Sequence, residues 1–169
     1  NVVSSSGTAL SSNQIMLVKR LTENITIIFD RDQAGISAAL RGIDLVLEHG
    51  MNVRICKLDE GEDPDSLARK HSLDYINDYI NRNSLDFINF KASLLAKQYE
   101  NEPTKKAEIV NNIVKSISLV QDVIKRELYV QTCSKIMKIS EDSIFETLSR
   151  IKKNKENRFI NHNLKSINI

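Results

Sequence analysis

The period of the hydrophobic pattern changes near residue 71. Before that point, short apolar runs alternate with amphipathic stretches, the spacing of parallel βαβ units. Asn1-Val2-Val3 reads as a strand already under way, followed by a Ser/Gly loop. A helix is predicted from about Asn13 to Leu21, with Ser11 or Ser12 placed to cap it. Ile25 to Phe29, "ITIIF", is a continuous β-branched run of the kind buried on both faces of a sheet. The next predicted helix covers about Ile36 to His49 and sets Ala39, Ile43 and Leu47 on one face. Gly50 stops it, and "NVRICKL" (Asn52 to Leu58) supplies another strand before the loop "DEGEDPDSLARK".

Beyond His71 the apolar positions recur at helical spacing: Leu85, Ile88 and Ala92, then Ile109, Ile113 and Ile117, then Ile124 and Leu128. Pro103 is the only proline in this stretch, so four or five helices with short connections are expected, a bundle appended to an α/β module. Tyr75, Tyr79, Phe87 and Phe90 fall near the same spacing and read as core rather than as base-stacking platforms. The final helix is expected to end near Ile151. After it, Lys152, Lys153, Lys155, Arg158 and Lys165 face the single acid Glu156 among many asparagines, as in a flexible basic tail or linker. The expected organisation is an α/β module over 1–71, a helical bundle over 72–153 and the tail over 154–169.

Composition narrows this little. A chain of 169 residues fits one domain, or one and a small second, and its 41% hydrophobic and 27% charged residues are ordinary for a globular protein. A formal charge of +2 identifies no partner, because a patch can hide in a neutral average. Cys56 and Cys133 lie far apart, and Cys56 sits in an apolar run, which suits reduced, buried thiols in the cytoplasm. No apolar run approaches the roughly 18 residues needed to span a bilayer, so no membrane segment is expected. His49, His71 and His162 are scattered as surface residues, and no zinc site is expected. The opening "NVVSSSGTAL" has neither a methionine nor a signal peptide, and reads as a start inside a domain.

The candidate chemistry lies in "FDRDQAG", where Asp30 and Asp32 stand where an apolar strand runs out. Either aspartate could serve the fold alone, since Asp is a favoured helix N-cap and Asp32 precedes a helix. A phosphoryl-accepting aspartate, as in haloacid-dehalogenase-like phosphatases, is a second reading. That pattern wants Thr or Val two residues after the second aspartate, where this chain has Ala34. The third reading is a divalent-metal site. "GEDPD" puts Asp63 and Asp65 after the following strand, and in a βαβ arrangement both loops leave the same sheet edge. Four carboxylates brought together would repel one another without a cation, and hard oxygen ligands suit magnesium or manganese. Asp63, Pro64 and Asp65 also make a good helix start with no metal involved.

"SSSGTAL" (Ser4 to Leu10), "FDRDQAGISAALRGID" (Phe29 to Asp44) and "GEDPDSLARK" (Gly61 to Lys70) resemble, in order and spacing, the catalytic core of the bacterial, DnaG-type DNA primases. The Asp-x-Asp alone is similar to any Toprim protein, including topoisomerases and nucleases; the other two stretches are what resemble primases. The resemblance implies part of a Toprim α/β fold followed by an all-α bundle, in a cytoplasmic protein that makes RNA primers. Its implied partners are a single-stranded DNA template, ribonucleoside triphosphates and the replicative helicase. It implies Mg2+ or Mn2+ held by Asp30, Asp32, Asp63 and Asp65, with Asp30 and Asp32 catalytic. Ser6, Gly7 and Thr8 would offer backbone amides to phosphate, and Arg31, where the family typically has glycine, could contact a triphosphate. The family's first Toprim strand and its glutamate are expected upstream of Asn1, and a helicase-binding domain beyond the bundle. A chain lacking that glutamate is expected to be inactive alone. The rival from another class is a non-catalytic interaction module in which both acid loops only cap helices.

Overall fold

A computed structural model describes residues 2–4, 10–29, 32–59, 61–96 and 102–167. The chain divides into two compact units, Asn1–Ser93 and Leu94–Ile169. This boundary lies beyond the expected one at residue 71, because the first helices after it pack with the sheet. Val2 and Val3 are exposed and carry no strand, unlike the reading of "NVV" from sequence.

In the first unit, α1 (Ser12–Lys19) begins with a capping box in which Ser11 and Gln14 exchange side-chain and backbone hydrogen bonds. Strand β1 (Asn24–Phe29) leads through helix α2 (Gln33–Glu48) to β2 (Asn52–Lys57), which pairs with β1 in parallel from Asn24↔Asn52 to Phe29↔Lys57. Helix α2 buries Ala39, Ile43, Val46 and Leu47, one contiguous face of a 3.6-residue period. It stops because Gly50 takes a φ of 72°, a left-handed conformation that costs glycine nothing. Gly50 N–H then bonds Leu47 O at 2.9 Å and Met51 N–H bonds Val46 O at 3.2 Å, satisfying carbonyls the helix leaves open.

After α3 (Pro64–Lys70) and α4 (Leu73–Asn83), a strand absent from the sequence reading joins the sheet. Strand β3 (Ser84–Asp86) pairs antiparallel with β2, with Ile55 opposite Leu85, and completes the order β1-β2-β3. Asp86 then accepts from the backbone N–H groups of Ile88 and Asn89 at the start of α5 (Phe87–Ala96). Phe87, Ile88 and Phe90 are fully buried, and the Phe90 ring meets Phe29 edge-on at 5.4 Å. The buried Lys91 ammonium pairs with Asp44 of α2 at 3.0 Å. Of the four aromatic positions read as core, Phe87 and Phe90 are; Tyr75 is half-exposed and stacks on His71.

The second unit contains α6 (Pro103–Ile117), α7 (Val123–Met137) and α8 (Glu141–Ile167). Ile109, Ile113 and Ile117 are buried as their spacing predicts. Ile124 and Leu128 are not; α7 turns Val130 and Cys133 inward instead. Helix α8 continues past Ile151 to Ile167, because nothing there breaks it: lysine and asparagine tolerate helix, and no glycine or proline intervenes. Both cysteines are free and buried, and burial pushes the Cys133 thiol up to about 11. Among the described residues, no helix is long and apolar enough to cross a membrane.

Candidate functional site

The parallel register decides which loops are neighbours. Phe29 and Lys57 are the last paired residues, so the chain leaves β1 and β2 side by side at their carboxyl ends. One exit carries the Asp-x-Asp stretch and the other carries GEDPD. Asp30 and Arg31 lie outside the described residues, as do Ser6, Gly7 and Thr8.

Asp32 is the N-cap of α2, its Oδ1 accepting from Gly35 N–H at 2.6 Å. Asp63 is the N-cap of α3, its Oδ1 accepting from Ser66 N–H at 2.8 Å while Ser66 Oγ accepts from Asp63 N–H at 3.0 Å. Pro64 follows at the first helical position, where its missing N–H costs nothing. Asp65 is exposed and pairs with Arg69 one turn on, at 2.9 Å. The helix-capping role is therefore real for Asp32 and Asp63. Each of these bonds uses one carboxylate oxygen, so capping leaves a second oxygen on each side chain for other work.

The second loop is braced by residues that sequence reading passed over. Glu62 N–H closes a turn onto Asp59 O at 3.2 Å, with Gly61 at a φ of 81° inside it. Glu62 Oε1 accepts from Lys70 Nζ at 2.8 Å, and this hydrogen bond, with the Glu62 charge behind it, raises the Lys70 pKa. Glu62 Oε2 is buried and has no hydrogen-bond partner among the described residues. Asp59 acts on Tyr79, whose hydroxyl also donates to Lys57 O at 3.5 Å; burial first, then Asp59, pushes that phenol up to about 12. No spacing rule would have exposed either pair, because each closes through the fold.

These groups suit a hard cation in kind. The donors are carboxylate oxygens, and Glu62 Oε2 is an acceptor left over in a loop of acids. Among the described residues, however, no three His, Cys, Asp or Glu side chains are gathered closely enough to hold a metal ion.

A family model described as Toprim-like matches residues 1–68. Another, described as the DnaB-helicase binding domain of primase, matches residues 89–142. The second match corrects the expectation that such a region would lie wholly beyond this chain. A DNA primase of Clostridium acetobutylicum is 33% identical over 152 residues, covering 88% of this chain and 25% of the relative. A crystal structure of a DNA primase domain from Pseudomonas aeruginosa superposes with a TM-score of 0.69 at 28% identity, over 83% of this chain and 45% of that one. A DnaG primase catalytic domain bound to single-stranded DNA gives 0.65 at 26% identity, over 76% and 43%. The chain thus spans about a quarter of the length of the curated relative it matches. A Toprim match alone would serve a topoisomerase or a nuclease equally well; a primase match on the following helices of the same chain removes that ambiguity. This chain belongs to the bacterial, DnaG-type DNA primases, and comprises part of their Toprim core with the helical region that follows.

Proposed function

We propose that the sheet edge bearing the two acid loops is part of the site at which the whole protein joins ribonucleotides into primers on single-stranded DNA. The observation that carries this reading is the Phe29↔Lys57 register, which sends the Asp-x-Asp and GEDPD stretches out of the sheet as neighbours. Asp30, Asp32, Asp63 and Asp65 would hold magnesium or manganese, Asp32 and Asp63 with their cap bonds fixing the carboxylates. Divalent ions, when bound, supply charge stabilisation at the attacking 3′-hydroxyl, the α-phosphate and the leaving pyrophosphate. Arg31 and the backbone of Ser6, Gly7 and Thr8 would hold the triphosphate, and the helices of 89–142 are the region proposed to engage the replicative helicase in the cytoplasm.

The caps themselves favour one rival, a non-catalytic module in which these aspartates only start helices. Manganese titration by calorimetry separates the two, using this chain, the longer protein with a whole Toprim fold, and an Asp30→Asn/Asp32→Asn variant of each. Asparagine caps helices as well as aspartate, so the variant keeps α2 while losing a hard anionic ligand. Saturable binding that the variant loses is expected. Silence in both folded wild-type proteins, or equal binding by the variant, would end the metal reading.

A further inference from the structure

Ile124 and Leu128 stand in solvent on α7, and two more apolar side chains extend that patch toward α8: Val123 is 65% exposed and Phe145 40%. Between the two helices lies an open cleft of about 200 Å³, walled by Val123, Phe145 and Leu148 and rimmed by Arg126, Glu127 and Lys152. Val123, Arg126 and Glu127 fall three and four apart on α7, and Phe145, Leu148 and Lys152 do the same on α8, so each helix gives the cleft one face. Pockets for small molecules run to roughly 300–1,000 Å³ and enclose what they bind. This cleft is smaller and open, and suits side chains inserted from outside. Clustered apolar surface of this kind marks a place where another macromolecule sits.

Charge narrows the occupant. Leu94–Ile169 carries 14 lysines and arginines against 9 aspartates and glutamates, whereas Asn1–Ser93 carries 10 against 13. Around the patch, Lys125, Lys152 and Lys153 are exposed and Arg126 partly so, against Glu127 and the cap residue Asp122; Arg150 and Glu146 pair with each other at 3.4 Å. A basic surface first suggests nucleic acid. Single strands, however, are held by aromatic platforms between cations, and here one ring, Phe145, accompanies three aliphatic side chains, Val123, Ile124 and Leu128. Aliphatic side chains beside a basic rim fit an amphipathic helix with apolar anchors and acidic flanks.

We propose that this face, from Ile124 and Leu128 across the cleft to Phe145 and Lys152, docks an acidic amphipathic helix of the replicative helicase. The inference rests on the reading of 89–142 as the helicase-engaging region and extends it, because Phe145 and Lys152 lie beyond residue 142 on α8. It also gives the Ile124–Leu128 stripe a partner: α7 turns Val130 and Cys133 into its own bundle and keeps the stripe for another protein.

Calorimetry of this chain with the purified helicase tests the face, with circular dichroism reporting the helices of each variant. Leu128→Ser and Phe145→Ser are each expected to weaken binding about tenfold or more. Lys152→Glu weakens it too, by more at low salt than at high salt. Lys106→Glu makes the same charge change at the start of α6, outside the patch, and is expected to leave affinity unchanged. Folded patch variants that bind as tightly as wild type overturn this inference and leave the reading of 89–142 standing. Equal losses for Lys106→Glu and Lys152→Glu reduce the contact to net charge and overturn it as well. So does a single-stranded oligonucleotide that displaces the helicase and whose own binding is lost in Phe145→Ser, since the face then belongs to nucleic acid. A folded wild-type chain that does not bind the helicase overturns the reading of 89–142, and this inference with it.

Discussion

Helices α2 and α7 are similar in length and both carry an apolar stripe, yet they use it differently. On α2, Ala39, Ile43 and Leu47 lie four apart and all three are buried, together with Val46 between them. On α7, Ile124 and Leu128 lie four apart in the same way and remain 72% and 55% exposed. The cause is what stands opposite. Helix α2 crosses between two parallel strands and must lie on the sheet they form, whereas α7 meets its neighbours through Val130 and Cys133. Periodicity identifies a helix and its apolar face; only the surrounding architecture decides whether that face is covered.

That contrast can be broken by measurement. Ile43→Ala leaves a void beneath the sheet and is expected to cost about 2–5 kcal/mol in urea unfolding followed by circular dichroism. A loss well below that would mean that α2 does not carry its unit's core. Asp63→Ala removes the cap of α3 and should cost about 1 kcal/mol in the same assay, while Asp63→Asn costs little. If asparagine fails to rescue, the carboxylate charge matters more than the cap bond. Ile124→Ser and Leu128→Ser should each change stability by no more than about 0.5 kcal/mol. Losses matching Ile43→Ala would show that α7 covers its stripe after all, and the distinction between the two helices would disappear.

The same contrast explains how far the sequence could be read. Strands β1 and β2 were legible because β-branched runs ended at strong punctuation, Asp30 on one side and Gly50 on the other. Strand β3 was not: Ser84-Leu85-Asp86 is too short for alternation, and its existence depends on β2 offering an edge. That strand brings α4 and most of α5 into the first unit, so the boundary lies beyond the change of period. The length of α8 is not legible in sequence, because a basic, asparagine-rich composition looks like a linker while containing nothing that forbids a helix. At the candidate site, the capping of Asp32 and Asp63 was visible in residue type and position. The Glu62–Lys70 pair was not, because two charged residues eight apart are neighbours only once α3 has formed between them.

The opposite end of the parallel pair has its own consequence. Asn24 and Asn52, the first residues of β1 and β2, are joined by a side-chain hydrogen bond of 2.8 Å, and Asn52 N–H also bonds Glu23 O at 2.8 Å. Each strand then runs six residues before its acid loop begins. The strands behave as two rulers with a common zero mark, so residue count alone brings their carboxyl ends level. Deleting one residue from either strand would offset one loop by about 3.3 Å and turn its remaining side chains to the other face. An insertion within α2 leaves both rulers unread, and so should leave the loops level.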